Sequence, residues 1–218
     1  LNESSDLFDV DFQHRFGCIS RNEIIWGWGY RYLWLDTDKQ SLTGFDPPDP
    51  DLDSYSGFLQ DKFSIIPENL YLILGAKVED NYYTDTELQP SARILATPDP
   101  RHTVWASISK AVRTPSVFER SVDISMPIKP ETLYFLKGNS DQDSEELYAY
   151  EIGYRVQPMD PIVFDIAGFY NVYDKLASDE LMDDIPSFGN NSEADTYGGE
   201  ISANWRFTQS IQLAAWYA

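Results

Sequence analysis

Tyr148-Ala-Tyr-Glu-Ile-Gly-Tyr-Arg-Val156 decides the fold. Tyr148, Tyr150, Ile152, Tyr154 and Val156 share one side of its alternation, and Ala149, Glu151, Gly153 and Arg155 share the other. A period of two puts successive side chains on opposite faces of a strand. Ile162 to Val172 repeats the pattern, with Ile162, Phe164, Ile166, Gly168, Tyr170 and Val172 opposite Asp165 and Asn171. Six stretches follow this rule. Roughly ten residues is what a tilted strand needs to cross a bilayer, whereas soluble strands commonly stop near half that length.

Working outward, alternation and turn residues together give about ten strands, near residues 6–16, 23–35, 53–65, 70–83, 87–97, 102–113, 146–157, 162–175, 195–207 and from 211 onward. Their connections sort into two kinds. Gly17–Asn22, Ile66–Asn69, Pro98–Arg101, Pro158–Pro161 and Thr208–Ser210 are short and carry the Gly, Pro, Asn and Asp that tight turns require. Asp36–Leu52, Thr114–Glu145 and Leu176–Ala194 are long, with one brief exception at Thr84–Thr86. Short and long alternate, so a meander places every short turn at one end. Transmembrane barrels have this asymmetry, with short periplasmic turns and long extracellular loops. The expected fold is all-β: an antiparallel up-and-down transmembrane β-barrel segment that does not close as a full barrel.

Composition is compatible with this reading. The chain has 218 residues, 42% of them apolar, and no continuous apolar run of the ~18 residues that a membrane helix needs. Its net charge of -20 argues against a nucleic-acid surface, which would need a basic stripe. Cys18 is the only cysteine, so no internal disulfide can form, and its expected place is a short turn. The start, Leu-Asn-Glu-Ser-Ser-Asp, lacks the basic, apolar and small-residue signature of an export signal. The final Trp216-Tyr217-Ala218 falls inside an alternating segment. Both ends therefore read as cuts through a larger protein, with residues 1–218 one partial barrel domain.

Parity assigns the faces. Val10, Phe12 and Phe16; Ile24, Trp26, Trp28, Tyr30, Tyr32 and Trp34; and Leu70, Leu72, Leu74, Ala76 and Val78 form the apolar, lipid-facing side. The aromatic members gather toward segment ends, as interfacial belts do. The opposite parity gives a lumen wall of Asp9, Asp11, Arg15, Arg31, Lys62, Lys77, Glu79, Glu87, Arg93, Arg113, Glu151, Arg155, Asp165, Glu200 and Arg206. This wall is nearly charge-balanced, so the acidity lies elsewhere, mostly in the long loops. Asp46-Pro-Pro-Asp-Pro-Asp-Leu-Asp53 and Asp141-Gln-Asp-Ser-Glu-Glu146 are the densest runs. They read first as solvated loops; a hard-cation site is the alternative, weakened by the lack of EF-hand spacing. A soluble sandwich is the competing architecture, disfavoured because several strands of this length with one-sided long loops are uncommon in soluble folds.

Catalytic signatures are absent from the sequence. There is no Gly-x-Ser-x-Gly elbow. His14 and His102 are the only histidines, and both fall toward the short-turn end, away from the acids of the loops. Gly27-Trp-Gly29 and Gly198-Gly199 lie within strands, where small residues ease close contacts and cannot form phosphate-binding turns. No enzyme, cofactor or resident metal is expected.

Several words of the sequence resemble a known family. Ala106-Ser-Ile-Ser-Lys-Ala-Val-Arg-Thr-Pro-Ser116, Tyr150-Glu-Ile-Gly-Tyr-Arg155, Gly168-Phe-Tyr-Asn-Val-Tyr-Asp-Lys-Leu176 and Thr196-Tyr-Gly-Gly-Glu-Ile-Ser-Ala-Asn-Trp205 are similar to the barrel of TonB-dependent outer-membrane receptors. Phe58-Leu-Gln-Asp61 and Leu88-Gln-Pro-Ser-Ala-Arg93 look like earlier strands of it. The resemblance implies import of a scarce, large ligand across the outer membrane of a Gram-negative bacterium, most of all a ferric siderophore, with cobalamin or a glycan as other possibilities. It implies as partners the outer-membrane lipid, a plug domain inside the barrel, and the TonB complex that pulls on that plug. The plug, its TonB-contacting segment and the remaining strands are outside this chain. Ligand residues vary within the family, so none carries over; Arg113, Glu119 and Arg120 are mouth candidates by position alone. A passive pore or adhesive barrel with no plug is the competing function.

Overall fold

The computed structural model describes residues 3–19, 21–37, 43–46, 51–128 and 131–218. Its strands are β1 (Glu3–Ile19), β2 (Asn22–Thr37), β3 (Thr43–Phe45), β4 (Asp51–Ile66), β5 (Leu70–Asn81), β6 (Glu87–Asp99), β7 (His102–Arg113), β8 (Val122–Ile128), β9 (Glu131–Lys137), β10 (Glu145–Met159), β11 (Ile162–Met182), β12 (Ile185–Arg206) and β13 (Gln212–Tyr217). A single turn of helix, α1 (Val117–Ser121), precedes β8. Ten strands pair antiparallel in the order β1-β2-β4-β5-β6-β7-β10-β11-β12-β13. The edges β1 and β13 do not meet, so the sheet is open, as expected of a barrel segment.

Register follows the parity of the sequence. Phe12 lies opposite Trp28 and Val10 opposite Tyr30; Tyr150 lies between Ile108 and Tyr170; Ile166 lies between Tyr154 and Ile201. One face of the sheet is therefore apolar from edge to edge. It has nothing packed over it: Ile152 is 61% exposed, Ile166 49% and Trp28 48%. Val122, in the small sheet described below, and Pro115, in the loops, are the apolar side chains larger than alanine that are buried among the described residues. A soluble sandwich closes over such a face, because apolar surface left in water is costly. This sheet keeps it open, as the outward apolar band of transmembrane barrels is.

Three departures from the sequence reading bear on the site. Leu176–Ala194, expected as a loop, is a continuation of the β11–β12 hairpin to strands of 21 and 22 residues. Asp183 and Asp184 close it with φ of 52° and 65°. A two-residue turn with both central residues at positive φ matches the strand twist, and Asp tolerates that conformation without glycine. The loops also contain a second sheet, β3-β8-β9, in which Thr43–Phe45 pairs with Val122–Ile124. Finally, Cys18 is in the end of β1 and not in a turn. Much of Asp36–Leu52, including Pro47–Pro50 of its acidic run, lies outside the described residues.

Candidate functional site

The loop-bearing end of the sheet is organised around α1. Ser116-Val-Phe-Glu119 has the spacing of a capping box, and both halves form: the Glu119 amide donates to Ser116 Oγ (3.2 Å) and the Ser116 amide donates to Glu119 Oε2 (2.7 Å). Arg113, the last residue of β7, donates to Glu119 through Nη1 and Nη2 (3.2 and 2.8 Å) and to Glu145 through Nε and Nη2 (2.8 and 2.6 Å). Chiefly through the Arg113 hydrogen bond, with the Ser116 groups adding to it against the opposing effect of burial, the Glu119 carboxyl is held down at about 2. Arg120 donates to the carbonyls of Tyr83 and Gln142 (3.0 Å to the latter), and its guanidinium is 5.4 Å from the centre of the Tyr83 ring. Burial pushes the Tyr83 hydroxyl up to about 12. The three mouth candidates are thus brought together, each with its polar groups engaged by its own chain.

The small sheet is fastened to the projecting hairpin. Gly138, just after β9, lies so close to α1 that a Cβ there would sit 2.5 Å from the Arg120 carbonyl carbon and 2.6 Å from the Ser121 nitrogen. Asn139 Nδ2 donates to the Phe188 carbonyl (2.9 Å) and Ser187 Oγ to the Lys137 carbonyl (2.8 Å). Asn190 joins both segments, its Nδ2 reaching the Asp143 and Lys175 carbonyls (3.1 and 2.8 Å) while its Oδ1 accepts from the Asp143 amide (2.8 Å). Burial is concentrated here: Gln142 is 1% exposed, with Ser121, Val122, Asn139, Ser144 and Ser187 also buried.

Between this cluster and the sheet is a cleft lined by Leu33 and Leu35 of β2, Phe45 of β3, and Val117 and Phe118 of α1, with Ser4, Ser5 and Ser116 at its border. The sequence reading missed it. Its one local signal is that Leu33 and Leu35 continue the parity of Arg31 but are apolar, so the polar face of β2 changes character toward the loops.

Further down the same face charges pair across neighbouring strands, Arg31 with Asp9 (2.6 Å), Arg15 with Glu23 (2.5 Å) and Arg155 with Asp165 (2.5 Å), and Lys77 pairs with Glu79 along β5. Glu151 accepts from Ser107 Oγ (3.1 Å). Lys62 lies 4.3 Å from the Tyr71 ring centre and Arg93 5.7 Å from that of Trp105. Trp105 lies across Gly153, where a Cβ would meet its ring at 2.2 Å. Gly27 and Gly198 make the same kind of room for Phe58 and Phe169. His14 accepts from Trp26 Nε1 (3.3 Å) on the apolar face, and His102 shares a hydrogen bond with the Tyr154 hydroxyl (2.6 Å). Among the described residues no three His, Cys, Asp or Glu side chains converge as a cation site.

An open antiparallel wall with one lipid-type face, one charged face and structured loops at one end defines the class: a segment of an outer-membrane-type β-barrel. The chain belongs to the TonB-dependent receptor family, since the model described as "TonB dependent receptor-like, beta-barrel" matches residues 2–218. No curated protein matches it. Among solved structures it is similar to the siderophore receptor PirA from Pseudomonas aeruginosa (17% identity, TM-score 0.77, covering 97% of this chain and 39% of that one). It is also similar to a mutant of the ferric enterobactin receptor PfeA from the same organism in complex with enterobactin (15% identity, TM-score 0.81, 97% and 35%). A third is the FrpB iron transporter from Neisseria meningitidis (12% identity, TM-score 0.72, 98% and 35%). The chain spans little more than a third of these structures, and the likeness at such identity is one of fold.

Proposed function

We propose that this chain is part of the barrel wall and outer mouth of a receptor that captures a large, scarce ligand, a ferric siderophore foremost. Uptake would draw on TonB acting through a plug domain held inside the completed barrel. The observation that carries the reading is the pairing of a fully uncovered apolar face with a charged opposite face and an ordered loop cluster at one end. The siderophore and iron receptors of like fold support the ligand class. On the charged face Lys62, Arg93 and Glu151 form no ion pair within the described residues and are free to meet a plug surface, whereas Arg155 is already held by Asp165.

Deleting the whole gene in its host tests this directly. Uptake of a radiolabelled ferric complex should fall in the deletion strain, return with the full-length gene, and fail again when TonB is removed. The receptor should fractionate with the outer membrane. Uptake that persists without TonB would point to a passive pore.

A further inference from the structure

The cleft of Leu33, Leu35, Phe45, Val117 and Phe118 has a volume of about 480 Å³, within the ~300–1,000 Å³ range of small-molecule sites. Its lining is apolar and its border offers serine hydroxyls. Three of the cations nearby are already engaged, Arg113 between Glu119 and Glu145, Arg120 on two carbonyls and the Tyr83 ring, and Lys175 between Asp143 and Glu146, while Lys137 at the end of β9 is exposed and forms no ion pair among the described residues. Asp141, Asp179, Asp183 and Asp184, on the segments that surround this end, pair with no described cation. An incoming ligand therefore meets a net negative field and then a neutral apolar lining.

We propose that this cleft receives the apolar part of a ligand whose net charge is zero or positive, and that it selects against polyanionic ferric complexes. The inference rests on the receptor reading above and narrows it. Bringing a polyanion against uncompensated carboxylates is unfavourable, and the one unpaired ammonium of the described cluster, that of Lys137, offsets only part of it. Neutral oxygens of a ligand can accept from the Ser5 hydroxyl, while Phe118, 46% exposed with its ring against Phe188, offers an aromatic surface.

The test uses the full-length receptor purified in detergent, with four probes: a neutral ferric tris-hydroxamate, an amine-bearing cationic one, a ferric tris-catecholate trianion and cyanocobalamin. The neutral and cationic ferric complexes should bind at least about tenfold more tightly than the trianion, a difference that shrinks in high salt. Phe118→Ser and Leu35→Ser should each weaken the preferred probe by about fivefold or more through lost apolar contact. Tightest binding of the trianion would overturn the cleft assignment and leave the ferric reading standing. Unchanged affinity in both variants, with folding verified by heat-modified gel mobility, would also overturn it. Binding of cyanocobalamin alone, lost in Phe118→Ser, would instead uphold the neutral cleft and remove the ferric reading.

Discussion

Arg113 and Glu119 are joined by two hydrogen bonds, of 2.8 and 3.2 Å, that tie the end of a sheet strand to the only described helical turn. The same guanidinium holds Glu145 at the start of the next sheet strand. The segment between β7 and β10 is thereby closed at its base. The pairs are partly exposed, so their worth is modest: Arg113→Ala should loosen the cluster by roughly 1 kcal/mol. Limited proteolysis of the refolded receptor should show cleavage within residues 114–144 rising about fivefold, with barrel assembly unchanged. Unchanged cleavage would mean that the Asn139 and Asn190 contacts suffice.

Acid should release the same device. Glu119 is held at about 2 in the fold, mainly by Arg113, against an ordinary value of 4.5. A carboxyl with a depressed value contributes stability that is complete above the ordinary value and is lost as pH falls through the folded one. Hydrogen exchange at Ser116 and Asn139 amides, corrected for intrinsic rate, should be constant above pH 4.5 and accelerate toward pH 2. Glu119→Gln should flatten that response. Loss of protection already above pH 5 would assign it to another group.

How much of this was legible follows from the range of each signal. The ten sheet strands and the alternation of short and long connections are local properties, so period and turn residues sufficed. Pairing of Thr43–Phe45 with Val122–Ile124 leaves no local trace, since the partners are far apart in sequence and each is short. The β11–β12 projection was hidden because Asp183-Asp184 closes it without glycine, leaving an acidic stretch that read as a loop. Arg113, Glu119 and Arg120 lie together at the loop-bearing end, but sequence could not tell engaged side chains from available ones. The cleft needed four separate segments to meet.

Face parity makes a sharper prediction. Ile166 is 49% exposed on the apolar face, while its neighbour Asp165 pairs with Arg155 on the other. In the full-length receptor folding into lipid vesicles, Ile166→Arg should cost about 2–4 kcal/mol if it lies near the bilayer midplane. Asp165→Asn loses only an exposed pair and should cost less than about 1 kcal/mol. Equal costs would show that the apolar face does not meet lipid.

The closeness of Gly138 to Ser121 sets up the last prediction. Their backbones approach so nearly that a Cβ on Gly138 would lie 2.6 Å from the Ser121 nitrogen, so β8 and β9 can be excised and Ser121 joined to Gly138 with little rearrangement of α1. The capping box, the Arg113 clamp and the Asn139–Phe188 and Asn190–Asp143 hydrogen bonds all lie outside the excised residues 122–137. Barrel assembly should therefore survive. What is lost is the strand that pairs with β3 and holds Phe45 at the cleft. Binding residues concentrate on loops held by rigid scaffolds, so affinity for the preferred probe should fall by about tenfold or more. Measured on the purified full-length receptor, unchanged affinity would place capture on the plug or on strands beyond this chain.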